Sequence, residues 1–329
     1  MIEQQPHEIV WTLTNAVVPS KCLHLVAELG VADEVGDEPV TVAELASRCG
    51  ADPDALDRIL RLVTAHGIFE QRPEGYVHTD ASRLLRSDHP MSMRAFSRMI
   101  GLPVFATAFN ALEHSVRTGS PAIELVAPKG LWPYLQEHPG EAEVFGQAMT
   151  AKAAADTAAI LAAYDLSRFG TIADIGGGRG HLLRAVLDAI PNVQGILFDL
   201  PEVIGSLDID DERLTRQAGD FFVDALPAAD AYVLMEVIHD WADAECVAIL
   251  SAIRRAAPPG ATALIIEGVM PGDQVDPRSQ TLDVIMLSVT GGRERTVSQL
   301  GDLFERAGFR LADVTETASA MRIVEGTSV

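Results

Sequence analysis

The chain is poor in three things, and each shortage excludes something. It has three cysteines in 329 residues, Cys22, Cys49 and Cys246, far apart and odd in number. They form no CxxC pair and no zinc-ligand spacing, which excludes a disulfide framework and reads as idle or buried thiols of a reducing compartment. Positive charge is also scarce: 25 Lys and Arg stand against 47 Asp and Glu, for a formal net charge of −22 and a pI of about 4.7. Such a surface repels phosphate backbones and argues against a nucleic-acid partner. The acids are spread along the chain and read as a solvated face. Long apolar runs are missing too: none approaches the roughly 18–20 residues of a membrane helix. The opening MIEQQPHEIVW lacks the apolar core of a signal peptide. These shortages predict a cytoplasmic protein with no membrane partner. What is plentiful is apolar material, 48% of the chain, in a length that suggests about two domains of roughly 100–200 residues.

Residues 1–30 read as one amphipathic helix ending at Gly30, with Ile9, Leu13, Val17, Leu23 and Val26 on its apolar side. Thr41-Val-Ala-Glu44 has the pattern of a capping box opening a short helix that stops at Gly50. Asp52-Pro53 supplies an N-cap and a first-turn proline for a helix through Leu56, Ile59, Leu60 and Val63, ending near Gly67. Ile68-Phe69-Glu70 and Gly75-Tyr76-Val77-His78 then suggest two short strands, and helix, helix and hairpin in this order suggest a winged helix. Its second helix carries Arg58 and Arg61 but also Asp54 and Asp57, which is no phosphate-gripping face. A module for dimerisation or for lining a pocket is expected instead. Residues 92–164 are mostly helical, broken at Gly119-Ser-Pro121 and His138-Pro-Gly140. From 170 onward strand-like and helix-like runs alternate, which signals a doubly wound α/β domain. The expected divisions are 1–100, a helical connecting region at 101–165, and 166–329.

The strongest motif is Thr171-Ile-Ala-Asp174-Ile-Gly176-Gly177-Gly178-Arg-Gly180, a buried strand running into a glycine turn before a helix. Glycines there let the backbone approach a ligand closely. A dinucleotide site needs GxGxxG and fails at His181, and no GxxxxGK[ST] loop is present. One βα unit later, Gly195-Ile-Leu-Phe-Asp199-Leu200-Pro201 places an acid where ribose hydroxyls could donate to it. Gly219-Asp220-Phe221-Phe222 offers a carboxylate for an exocyclic amine beside an aromatic that could cover an adenine.

Together DIGGGRG, FDLPEVI and GDFF resemble the class I S-adenosylmethionine (SAM)-dependent methyltransferases. More narrowly they resemble the plant-type and bacterial small-molecule O-methyltransferases, which include caffeate, hydroxyindole and polyketide O-methyltransferases. The resemblance covers nearly the whole chain. It implies a Rossmann-like catalytic domain, an N-terminal mainly helical winged-helix dimerisation domain, SAM as cofactor, a small hydroxylated acceptor and a homodimer. It implies cofactor contacts from Asp174, Gly176, Gly178, Asp199, Leu200, Gly219, Asp220 and Phe221. The segment Val144-Phe-Gly-Gln-Ala-Met149 resembles the helix before the family's cofactor domain, where a methionine often lies near the active site.

Leu234-Met-Glu236-Val-Ile-His239-Asp240-Trp241 puts a histidine at the carboxyl edge of the presumed sheet, where open α/β folds bind ligands. Methyl transfer to a hydroxyl needs the oxygen held in line about 3–3.5 Å from the methyl carbon and its proton removed. An imidazole, with an ordinary pKa of about 6.5, suits that removal. In the family resembled, glutamates matching Glu267 and Glu294 flank such a histidine, and would orient the ring and stabilise the imidazolium. Glu267 also ends the apolar run Leu264-Ile-Ile, a costly place for an unpartnered acid. The arginines flanking Glu294 could pair with it at the surface. Asp240 could bind the acceptor or stabilise its turn. Many family members carry a cofactor-contacting lysine four residues before the histidine; here that position is Met235, so no such contact carries over. The helices of 92–164 and the segment Asp283–Val289 are expected to line the acceptor pocket, with Trp132, Phe145, Met149 and Met286, and also Phe96, Met99, Phe105, Phe109 and Val289, as candidates. No metal is expected, since no acids or histidines fall at ligand spacing. The rival readings are a SAM-binding hydroxylase or decarboxylase, an N- or C-methyltransferase, and a SAM-sensing winged-helix regulator.

Overall fold

The computed structural model describes residues 5–272 and 275–329. They form two compact units: Met1–Ala106 with Gly140–Lys152, and Thr107–Pro139 with Ala153–Val329. The segment 101–165 contributes to both.

In the first unit the expected N-terminal helix is two, Pro6–Asn15 and Val17–Glu28. Pro19 has no N–H to return to the carbonyl of Asn15, while Ala16 keeps helical angles (φ −60°, ψ −23°) and carries the chain onward. The first four residues of the expected helix lie outside the described residues. The stretch Pro6–Glu28 is, by length and composition, apolar enough to cross a membrane. That corrects the expectation that no such run exists: scattered Thr, Asn and Ser interrupt the apolar residues without adding charge. Length and composition alone do not establish a membrane span.

The helices Val42–Cys49 and Pro53–Ala65 start as their caps dictate. The Thr41 hydroxyl accepts from the Glu44 N–H (3.3 Å), and the Glu44 carboxylate accepts from the Thr41 N–H (3.0 Å). Asp52 accepts from the Ala55 N–H at 2.9 Å. Each such cap stabilises its helix by about 1 kcal/mol. Strands β1 (Phe69–Arg72) and β2 (Gly75–His78) close an antiparallel hairpin. Leu45, Leu56, Leu60, Val63, Phe69 and Tyr76 share one core under these elements. Arg58 pairs with Asp54 and Arg61 with Asp57 along the exposed helix face, so neither arginine is offered as a lone cation.

The second unit is built on a seven-stranded sheet. Its strands are β3 (Thr171–Ile175), β4 (Gln194–Asp199), β5 (Leu214–Ala218), β6 (Ala231–Met235), β7 (Thr262–Gly268), β8 (Phe309–Glu316) and β9 (Met321–Ser328), in the order β5-β4-β3-β6-β7-β9-β8. β9 runs antiparallel to both its neighbours, and the pairs β5-β4, β4-β3, β3-β6 and β6-β7 are parallel. Helices cover both faces, so the central strands are continuously apolar rather than alternating; β6 is buried at all five positions. Tyr232, Leu234 and Ile265 face one core with the helices Asp243–Ala256 and Val297–Arg306. Val233, Leu264 and Ile266 face another with the helix His181–Ala189. The strand order reverses between β3 and β6, which opens a ligand crevice at their carboxyl ends.

Candidate active site

The glycine turn after β3 is shaped by what crowds it. A Cβ on Gly177 would lie 2.5 Å from the Asp174 carboxyl and 2.6 Å from Leu197, so only glycine lets the turn lie against the sheet edge. Asp199, at the end of β4, accepts from the Gly178 N–H and from the Leu200 N–H, both at 2.7 Å. This ties the first two strand ends into one cradle. Asp174 is 2% exposed, and its Oδ1 has no hydrogen-bond partner; neither has the buried Nε2 of His181, at the start of the next helix. Burial first, and the charge of Asp199 second, push the Asp174 carboxyl up to about 7. A buried acid with an unused acceptor, beside a glycine turn, fits a ligand bearing an ammonium group and hydroxyls. SAM is such a ligand.

Gly219 packs against Phe198, where a Cβ would meet the ring at 2.7 Å. The Asp220 carboxylate accepts from the Phe222 N–H at 2.8 Å, so one of its oxygens already shapes the turn. Phe221 and Phe222 meet Trp241 edge-on, with centroids 5.8 and 4.8 Å away, and Trp132 stacks on Trp241 at 6.4 Å. Trp241, which follows His239-Asp240 in the sequence, is the hub joining the GDFF turn to Trp132. Met235, at the position of the family's lysine, is buried in an apolar core and offers no polar contact. Glu236 beside it has φ +53°, the one positive φ at a non-glycine among the described residues.

His239 lies in a single 3₁₀ turn after β6 and is 5% exposed. Its Nδ1 donates to Glu294 Oε1 at 2.8 Å. Its Nε2 is 3.9 Å from Asp240 Oδ1. Glu267, 1% exposed, does not touch the ring: its Oε1 accepts the backbone N–H of His239 at 2.9 Å. The two glutamates therefore hold different parts of one residue. Burial opposes charge on the imidazole, but Asp240, the hydrogen bond to Glu294 and the charge of Glu267 together outweigh it and raise the ring's pKa. Burial pushes Glu267 up to about 7, against the pull of His239.

The loop that delivers Glu294 wraps the histidine turn. The Arg293 N–H donates to the His239 carbonyl at 2.8 Å. A Cβ on Gly292 would lie 1.9 Å from that carbonyl oxygen, so the second glycine of Gly291-Gly292 is what permits the approach. The Glu294 N–H is in turn held by Asp283 at 2.9 Å. The suggested surface pairing of Glu294 with its flanking arginines is corrected for Arg295: that side chain is buried and binds Asp243. Met286 is buried on the helix Pro277–Val289. Phe145 and Met149 lie on the helix Pro139–Ala163 in the first unit, Phe145 stacked on Phe105 at 6.4 Å. Among the described residues no group of three or more His, Cys, Asp or Glu is placed to hold a metal ion.

Comparison with known proteins bears on the same regions. Residues 109–310 match an O-methyltransferase domain, and residues 11–88 match an O-methyltransferase dimerisation domain. The chain is 36% identical to the phenazine O-methyltransferase PhzM of Lysobacter antibioticus over 318 residues, 94% of this chain and 93% of that one. It is 36% identical to an 8-amino-8-demethylriboflavin N,N-dimethyltransferase of Streptomyces davaonensis over 315 residues, 92% of this chain and 90% of that one. Among solved structures, human N-acetylserotonin methyltransferase in complex with SAM superposes with a TM-score of 0.92 at 28% identity, covering 99% of each chain. With the domain match spanning more than half its length, this chain belongs to the SAM-dependent O-methyltransferases.

Proposed function

We propose that this enzyme methylates a phenolic hydroxyl of a small aromatic secondary metabolite, with His239 as general base. The observation that carries the reading is the 2.8 Å bond from Nδ1 to Glu294. It fixes the tautomer in which a neutral ring presents the Nε2 lone pair. Nε2 takes the hydroxyl proton as the oxygen becomes nucleophilic. The imidazolium that forms is stabilised by Glu294 and Asp240, while Glu267 keeps the backbone of His239 from turning. Bound SAM supplies a methyl group on a positively charged sulfur, an electrophile that attack converts to a neutral thioether. Asp174, Gly176, Gly178, Asp199 and Leu200 are the proposed cradle for its amino-acid and ribose parts. Gly219, Asp220 and Phe221 are the proposed adenine contacts, and Trp132, Asp240 and Met286 the proposed acceptor contacts within the second unit. The free thiols fit work in a reducing cytoplasm, and the dimerisation-domain match supports a homodimer.

A nitrogen acceptor is the second reading, favoured by the likeness to a riboflavin-type N,N-dimethyltransferase. Paired panels of naphthols and naphthylamines with methyl-labelled SAM separate the two. Calorimetry with SAM should show saturable binding, and His239→Gln should keep that affinity while turnover falls by roughly 10²–10⁴. Turnover retained in His239→Gln would remove the base; affinity lost in a folded variant would show that His239 serves the cofactor instead.

A further inference from the structure

Arg295 is the one arginine or lysine that is buried among the described residues, at 2% exposure. Nη1 donates to the Ile238 carbonyl at 3.0 Å and Nη2 to the Trp241 carbonyl at 2.8 Å. Nε and Nη2 both reach Asp243 Oδ1, at 3.1 and 2.7 Å. The two carbonyls stand on either side of His239-Asp240, and Asp243 opens the helix Asp243–Ala256. A planar guanidinium presents five N–H groups in a fixed fork; a lysine ammonium in the same place could not meet three acceptors so spread. Arg295 also directly follows Glu294, so the residue that grips the ring and the residue that grips its turn move together.

We propose that Arg295 is a positioning residue for methyl transfer: its guanidinium locks the 238–241 turn to the following helix and thereby holds the His239 ring on Glu294. The inference rests on His239 being the base. Letting the turn rotate would lengthen the bond from Nδ1 to Glu294. It would leave the cradle at the ends of β3 and β4 untouched, because no atom of that cradle bonds to Arg295. The buried thiol of Cys246 reaches the same two carbonyls at 3.3 Å, but a thiol is a weak donor and cannot replace the fork.

The test uses Arg295→Lys and Arg295→Met in the full chain, with SAM affinity by calorimetry, methyl transfer to a naphthol probe, and the His239 ring titration by nitrogen NMR. For Arg295→Lys, kcat should fall about tenfold to a hundredfold while SAM affinity stays within about twofold, since a misplacement of about 1 Å at a reacting group can cost up to a hundredfold. The His239 ring should titrate at lower pH than in the parent, because its bond to Glu294 is loosened; a purely structural arginine would lower stability without moving that titration. An unmoved ring titration with kcat within about threefold of the parent overturns the proposal, as does a parallel loss of SAM affinity. Should both variants fail to fold, Asp243→Asn carries the test. Its side chain is half exposed, and it should lower kcat about threefold with the ring titration shifted in the same direction; no shift overturns the proposal. His239→Gln, run alongside, separates the failures: if it keeps turnover the base reading falls, and if it loses turnover while Arg295→Lys does not, only the clamp falls.

Discussion

A buried imidazole facing three carboxylates is held charged more firmly than one in water, and a charged ring cannot accept a proton. The sign of its pH dependence follows. As the proposed base, His239 must lose its proton before it can act, so kcat/KM should rise with pH and level off only above the ordinary imidazole range of about 6.5. Asp240 is the foremost of the groups that hold the proton on, after burial, which opposes it. Asp240→Asn should therefore move the acidic limb of the kcat/KM profile to lower pH, and an unmoved limb would show that Asp240 does not govern the ring. Stability responds in the opposite sense. A folded-state pKa raised above the unfolded value stabilises the fold below that unfolded value, and the contribution is lost as pH rises through the raised one. The parent's advantage over Asp240→Asn should thus be largest in acid and fade on the alkaline side. At this scale the sequence was legible where a motif carries its own chemistry: HDW pointed to His239 and an acid closing an apolar strand pointed to Glu267, and the structure brings the two together. It was silent on which atom of His239 each glutamate would hold. That depends on how two distant turns meet. The same silence hid Arg295, whose partners are the carbonyls of Ile238 and Trp241 and the carboxylate of Asp243, more than fifty residues away in the chain.

At the scale of elements, the glycine loop 291–292 and the 3₁₀ turn at 238–240 form one object made of two chain segments. Gly292→Ala tests it. A methyl group at 1.9 Å from the His239 carbonyl oxygen has backbone, not a flexible side chain, on the far side. The cost should be about 1–3 kcal/mol, read as a lower midpoint in urea. Because the displaced atoms belong to the proposed base, kcat should fall more than the stability loss alone explains. A variant that keeps full turnover would show that the loop's approach is incidental. The elements themselves were readable wherever local chemistry dictates them: the Thr41 capping box, the Asp52 cap and the apolar strands β3, β4, β6 and β7 all stand where pattern placed them. β5, β8 and β9 were not anticipated. β5 reads Leu-Thr-Arg-Gln-Ala and is exposed or half-buried throughout, and β8 is largely exposed. β5 and β8 are the edge strands, and β9, paired on both sides, has its apolar residues interrupted by Arg322, Glu325 and Gly326, so none of the three carries a continuous apolar run.

At the scale of the whole molecule, one surface is out of keeping with an acidic, water-facing chain. Val10, Trp11, Leu13 and Val17 are 65, 69, 72 and 57% exposed along the first two helices. Exposed apolar side chains gathered in one stretch of chain mark an interaction site, and residues 11–88 match a dimerisation domain. A second copy of the chain is the expected occupant. Burying an apolar side chain of this size stabilises association by roughly 1.5–3 kcal/mol, so a charge at its centre should be decisive where an alanine is only weakening. Light scattering at micromolar concentration should give twice the mass of the 35.2 kDa chain for the parent. Trp11→Glu combined with Leu13→Asp should shift the population toward monomer without unfolding the catalytic unit, whose SAM affinity reports its integrity. A parent that scatters as a monomer would leave this face to another apolar surface, and vesicle flotation would then show whether a bilayer covers it.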